Sequence, residues 1–224
     1  MDNRALVVLS GGQDSTTCLY WAIDRFGSAR VESLTFDYGQ RHRIELEAAS
    51  KVASHAGVPN VVLPIDTFEA LGGSALTDPA VEVPQSSEND ALPATFVPGR
   101  NLIFLTFAAA YAWQRGIGQL VTGVAQTDYS GYPDCRRKTI DALEKTLALG
   151  LERRITIHTP LMDLTKKETV LLAKELNAIE AMALTHTCYN GVRPPCGECA
   201  ACILRAKGFA EAGLEDPLTA TVRA

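Results

Sequence analysis

Two groups of residues carry side chains at spacings that suggest chemistry. The first is Ser10-Gly11-Gly12-Gln13-Asp14-Ser15-Thr16, directly after the apolar run Ala5–Leu9. Its two glycines allow a tight turn and a close backbone approach to a ligand. With a helix starting here, free N–H groups and the positive helix end face an anion, and the Ser10, Ser15 and Thr16 hydroxyls add donors. The spacing is neither Gly-x-x-x-x-Gly-Lys-Ser/Thr nor Gly-x-Gly-x-x-Gly. Asp14 beside phosphates needs a cation, which a Mg²⁺ shared between carboxylate and phosphate oxygens would supply. The competing reading of Asp14 is a plain helix cap. The second group is Cys188-x7-Cys196-x2-Cys199-x2-Cys202. Four thiolates suit a closed tetrahedral zinc site, structural because no position is open to water. Iron–sulfur ligation uses similar spacing and stays open.

The elements that must position these groups alternate. Ala5–Leu9, Val31–Phe36, Val61–Leu63, Leu120–Val124 and Ile155–His158 read as strands. Thr16–Phe26, Ile44–Ala56, Leu102–Arg115, Pro133–Leu149, Lys166–Leu176 and Ala200–Ala212 read as helices. Such alternation predicts right-handed crossovers and a parallel sheet with helices on its faces. Ile65–Pro98 breaks the rhythm with Gly72-Gly73, Pro79, Pro84 and Pro93, and reads as a lid, an interface loop or disorder. Cys18 lies on the apolar stripe of its helix and is expected in the core. Cys135, in a polar stretch rich in turn residues, reads as a packed thiol or a pocket lining.

Composition narrows the classes further. The 224 residues carry 21 Lys and Arg against 26 Asp and Glu, a net charge of −5. With 46% hydrophobic and 21% charged residues this is an ordinary globular chain, long enough to build a core without disulfides. The mild acidity argues against a nucleic-acid partner. Leu102–Trp113 is too short to span a membrane, and Met1-Asp-Asn-Arg4 does not open a signal peptide. A cytoplasmic protein is expected, its six cysteines thiols or ligands rather than disulfides.

Ser10-Gly-Gly-Gln-Asp-Ser15 after an N-terminal strand resembles the pyrophosphate loop of the ATP pyrophosphatase (PP-loop) superfamily. Beyond the loop, Phe36–His42, Val97–Asn101, Asp128–Arg136, Leu164–Lys166, Thr187–Gly191 and Pro195–Cys199 are similar, in order, to the motif series of the 7-cyano-7-deazaguanine synthase family. The resemblance implies an α/β fold: a parallel-sheet, adenine-nucleotide-hydrolase-like Rossmann-type domain over 1–184 and a C-terminal zinc-binding segment and helix over 185–224. It also implies ATP-dependent conversion of 7-carboxy-7-deazaguanine and ammonia to a nitrile, through an adenylate and an amide, in queuosine biosynthesis.

On that resemblance Leu9, Ser10, Gly11, Gly12, Gln13, Asp14, Ser15 and Thr16 hold ATP with Mg²⁺, and Asp14, Arg100 and Lys166 are catalytic. Asp128, Tyr129, Tyr132, Asp134 and Arg136 meet the deazaguanine, with Arg41 and His42 as further candidates. Cys188, Cys196, Cys199 and Cys202 bind Zn²⁺. Competing readings make Arg100 a solvated helix start and Lys166 a surface lysine. No nucleophile–base pair stands out, so covalent catalysis is not expected. Small molecules, not membranes or nucleic acid, are the expected partners, and the chain is expected to be a homodimer. Rival classes are another adenylating enzyme, amidating or tRNA-thiolating, and a nucleotide- or zinc-dependent binding module without turnover.

Overall fold

Strand β1 (Ala5–Val8) runs through the middle of a five-stranded sheet of order β3-β2-β1-β4-β5. Its partners are β2 (Val31–Asp37) and β4 (Gln119–Val121), flanked by β3 (Asn60–Pro64) and β5 (Thr156–His158). All four pairings are parallel, with Ala5 in register with Val31 on one side and Gln119 on the other. This computed structural model describes residues 3–40, 43–68, 74–77, 95–126 and 132–220.

A parallel sheet must be covered on both faces, which explains why Ala5-Leu-Val-Val reads as a continuous apolar run. Alternation along the strand divides the core in two. Ala5, Val7 and Leu9 pack with Cys18, Leu19 and Ala22 of helix α1 (Gln13–Phe26) and with Ala49, Val52 and Ala53 of α2 (Ile44–His55). Leu6 turns the other way, into Leu105, Ala108 and Ala112 of α3 (Arg100–Gln114) and Ile140 and Leu147 of α4 (Arg137–Gly150). Cys18 is fully buried, as its place on the stripe predicts.

Most element ends differ from the sequence reading by a residue or two, and three differences bear on the site. Helix α1 begins at Gln13 rather than Thr16, so the phosphate-loop motif runs into its first turn. A 3₁₀ turn, Pro133–Cys135, precedes α4, which starts only at Arg137. Strand β4 stops at Val121, because beyond it Gly123 lies against the backbone of Asp14 and Ser15. Order in most of Ile65–Pro98 falls outside the described residues.

The chain closes with α5 (Lys166–Glu175), a 3₁₀ turn (Glu180–Leu184), α6 (Ala200–Glu211) and the short α7 (Pro217–Ala220). Val170 and Ala173 of α5, Met182 and Phe209 of α6 form one apolar cluster that spans the boundary expected at 184/185. Arg205 reinforces this packing from a position 4% exposed. Its five N–H donors are all used: two on the Asp216 carboxylate, two on the Thr185 and Thr187 hydroxyls and one on the Met182 carbonyl. No described helix is long and apolar enough to cross a membrane.

Candidate active site and metal centre

In an open parallel sheet the ligand crevice lies at the carboxyl ends of the strands where the winding reverses, here between β1 and β4. The Ser10–Ser15 loop leaves β1 at that point. Gly12 is the N-cap of α1 and no side chain caps the helix, which leaves first-turn N–H groups for an incoming anion. Asp14 lies inside the first turn, so it is not the helix cap. Ser10 and Ser15 share a hydroxyl contact of 3.0 Å, and the Ser15 and Thr16 hydroxyls donate to the Gly12 carbonyl at 3.1 and 2.9 Å. These bonds hold the turn in shape before any ligand arrives.

Gly11 has φ +82°, and a Cβ there would stand 2.5 Å from the Glu45 carbonyl oxygen and 2.6 Å from the Ala49 nitrogen. Gly11→Ala is therefore expected to push the loop off α2. Calorimetric titration with ATP should show affinity falling at least about tenfold, and unchanged affinity would mean that the loop does not hold the nucleotide.

Lys166 opens α5, where a cation opposes the helix dipole unless an anion is close. The anion is Asp14: Nζ and Oδ2 are 2.7 Å apart, with the two side chains 20% and 28% exposed. Thr165 and Glu168 form a reciprocal capping box that fixes the start of α5. Gly208 of α6 lets that start come close, since a Cβ there would lie 3.0 Å from the Lys166 Cβ. Asp14 Oδ1 and Gln13 Nε2 are buried without hydrogen-bond partners among the described residues. One acceptor and one donor are thus left at the loop, and they fit a Mg²⁺ ion and a phosphate oxygen respectively.

A cavity of about 310 Å³ opens over this loop. Arg100 lines it from the start of α3, with Nη1 3.3 Å from the Tyr38 hydroxyl, so it is not a solvated helix end. Burial works against the Arg100 charge, but Tyr38, Tyr132, Tyr189 and Glu45 around it keep its pKa above the usual arginine value. Burial pushes the Tyr38 phenol up to about 12 and lifts the Glu45 carboxyl to about 7, the latter only partly opposed by Arg100. Phe104 stacks on Phe36 with ring centres 4.5 Å apart and adds a flat apolar wall. Tyr132 lines the cavity with its hydroxyl 2.6 Å from Thr95 Oγ1.

The C-terminal segment closes the cavity with His186, Thr187 and Tyr189. It is tied directly to the phosphate loop: the His186 N–H donates to the Gly11 carbonyl at 2.9 Å. The His186 ring lies 2.8 Å from the Cys188 carbonyl, and Cys188 begins the sulfur cluster. The four sulfurs of Cys188, Cys196, Cys199 and Cys202 all lie within 4.8 Å of one another. Cys196 and Cys202 are 3.9 Å apart, close to the edge of about 3.8 Å expected for a tetrahedron with metal–sulfur bonds of about 2.3 Å. Cys199 N-caps α6, and burial raises the thiols of Cys199 and Cys202. Burial raises the Cys196 thiol, but N–H groups of Glu198 and Cys199 outweigh it and bring it down to about 6. The cluster is suited to a metal.

The family model described as "Queuosine biosynthesis protein QueC" matches residues 4–213, nearly the whole chain. The chain belongs to the QueC family. Two relatives are named 7-cyano-7-deazaguanine synthase. The one from Chromobacterium violaceum is 66% identical, covering 97% of this chain and 93% of the relative. The one from Laribacter hongkongensis is 63% identical, covering 96% and 93%. Among solved structures, U34-tRNA thiolase NcsA from Methanococcus maripaludis with its [4Fe-4S] cluster shares the fold at a TM-score of 0.51 and 18% identity, over 99% of this chain and 68% of that one. This QueC-family chain is an enzyme with a PP-loop fold.

Within this QueC-family site the residues singled out from sequence have different places. Leu9, Ser10, Gly12, Gln13, Asp14 and Ser15 of the loop line one cavity with Arg100, Lys166 and Tyr132, whereas Gly11 and Thr16 lie outside its lining, and the four cysteines form one centre. Asp134 is engaged elsewhere: it is 4% exposed, and its Oδ2 accepts from the Asn101 backbone and side-chain nitrogens at 3.0 and 3.1 Å, capping the start of α3. Arg136 is exposed and N-caps α4, outside the cavity lining. Asp128, Tyr129, Arg41 and His42 lie outside the described residues. Cys135 lines the cavity, with its Sγ 3.3 Å from Asn101 Nδ2.

Glu45, Phe104, His186 and Arg205 also line the cavity and were not singled out from sequence. Arg205 alone had a signal there, being a charged residue at the spacing of Ala201, Gly208 and Phe209 on the inner face of α6. Glu45 looks like any acid in a first helical turn.

Proposed function

We propose that this chain is a 7-cyano-7-deazaguanine synthase, which uses ATP to convert 7-carboxy-7-deazaguanine and ammonia to the nitrile. The observation that carries this reading is a single cavity whose lining joins the phosphate loop to an aromatic wall of Tyr38, Phe104 and Tyr132. A nucleotide and a flat heteroaromatic acid can therefore be held against each other. A carboxylate is a poor electrophile and needs activation. One of its oxygens attacks the ATP α-phosphorus, pyrophosphate leaves, and an acyl-adenylate forms. Ammonia then displaces AMP to give the amide. A second activation, at the amide oxygen, lets that oxygen depart and leaves the nitrile.

In this reading the first-turn N–H groups of α1, the Ser10 hydroxyl and Gln13 Nε2 bind the departing pyrophosphate. Lys166, positioned through Asp14, and Arg100 neutralise phosphate charge as it shifts to the leaving group. Phe104 and Tyr132 orient the heterocycle, so that positioning supplies much of the rate. A Mg²⁺ bound by Asp14 Oδ1 would polarise the phosphates. The centre formed by Cys188, Cys196, Cys199 and Cys202 would hold one Zn²⁺, because four sulfurs this close suit a single ion better than separate irons of a cluster. Its role would be to brace the segment carrying His186 and Tyr189. A cytoplasmic homodimer is part of this proposal, and light scattering in solution checks the stoichiometry.

The test combines the purified chain, Mg²⁺, ATP, ammonium and the carboxylated deazaguanine. Pyrophosphate release that depends on the acid, with the nitrile detected by mass spectrometry, is the expected result. Absence of both would defeat the assignment.

A further inference from the structure

Glu45 is a carboxylate in the cavity that the phosphate chemistry leaves unused. It stands in the first turn of α2, with its main chain packed against Gly11 of the phosphate loop, the residue in the cavity lining and its carboxyl within electrostatic reach of Arg100 and Tyr38. Among the described residues the lining contains two carboxylates, Asp14 and Glu45, and Asp14 is paired with Lys166. Tyr38 after β2 and Arg100 of α3 face Glu45, and neither is a proton acceptor near neutral pH. Of the other titratable groups in the lining, Lys166 is paired with Asp14, His186 is tied to the Cys188 carbonyl, Arg205 to Asp216, Tyr132 to Thr95 and Cys135 to Asn101, and Tyr189 completes the set. The 180–184 turn also packs on α2 but adds no residue to the lining.

Resting on the synthase reading, we propose that Glu45 takes a proton from the ammonium substrate, so that neutral ammonia attacks the acyl-adenylate. Ammonium predominates in neutral water and has no lone pair to attack with. An anionic carboxylate attracts the cation into the cavity and removes one proton, giving ammonia and a neutral Glu45 carboxylic acid. The nitrogen lone pair forms the C–N bond, the C–O bond to AMP breaks, and the second proton passes to solvent as AMP leaves. Glu45 returns its proton to water before the next turnover. Its carboxyl, raised by burial to about 7, suits this exchange, since a general base works best with a pKa near the working pH.

Glu45→Gln and Glu45→Asp test the inference, each checked for folding by thermal melting. Three rates are read at about pH 8: acid-dependent exchange of pyrophosphate into ATP, amide formation from ammonium, and hydroxamate formation from hydroxylamine, a nucleophile already neutral there. For Glu45→Gln, exchange and hydroxamate formation are expected within about threefold of the parent, while kcat/KM for ammonium falls about 100-fold. Glu45→Asp, which keeps a carboxylate, should fall between the two. Equal loss of all three rates, an unchanged ammonium rate, or equal ammonium loss in both variants would overturn the role of Glu45. If the parent enzyme itself shows no acid-dependent exchange, the synthase reading fails and the role of Glu45 falls with it.

Discussion

Replacing Asp14 by asparagine is expected to lower kcat about a thousandfold and leave the fold intact. The carboxylate has two tasks. Its Oδ2 holds Lys166 at 2.7 Å, and its buried Oδ1 has no hydrogen-bond partner among the described residues. Asparagine keeps the shape but removes the charge, so the ion pair to Lys166 is lost and, on the synthase reading, a Mg²⁺ would lose a ligand. The pair is partly exposed, at 20% and 28%, so little stability rests on it, and Tm should move by no more than about 3 °C. A Mg²⁺ titration of the residual activity separates the two tasks. A higher half-saturating Mg²⁺ concentration in Asp14→Asn than in Lys166→Met supports the ligand role. Near-normal turnover of Asp14→Asn would remove Asp14 from the phosphate chemistry.

The second large effect is expected at the sulfur centre. Cys199 is 1% exposed and caps α6, and its N–H donates to Cys196 Sγ at 3.4 Å. Cys199→Ser should reduce bound metal from one ion per chain to a small fraction, and lower Tm by about 10 °C or more. The damage should reach the cavity. Residues between the turn and α6 hold Gly11 through His186 and supply the Thr185 and Thr187 hydroxyls to Arg205. Weaker ATP binding should therefore accompany metal loss. Elemental analysis of the parent chain identifies the ion: zinc supports the mononuclear reading, iron with visible absorbance replaces it, and no metal in a fully stable chain defeats both.

Much of the site was legible because its chemistry is local in sequence. The Ser10–Ser15 loop is a contiguous strand–turn–helix segment, so two glycines, two serines and an acid in a row already have the chemistry of an anion site. The cysteine cluster lies within Cys188–Cys202, and its spacing alone already suits a metal site. Asp134 shows where such reading ends. An acid between Pro133 and Cys135 looks available to a ligand, yet α3 presents the Asn101 N–H groups to it, and the buried carboxylate becomes a helix cap. Arg136 was likewise read into the pocket, but the 3₁₀ turn before α4 directs it to the surface.

The alternation of strand and helix, the Ser-Gly-Gly loop after β1 and the four-cysteine cluster follow from sequence alone, because each is set by periodicity or by neighbours a few residues apart. That β1 and β4 meet at the winding reversal, that Lys166 reaches back to Asp14, and that Glu45, Arg100 and His186 share one cavity follows from how distant segments pack. Those contacts join residues up to 152 positions apart. They exist because parallel crossovers bring the carboxyl ends of the strands together on one edge of the sheet, and no local pattern records which side chains will meet there.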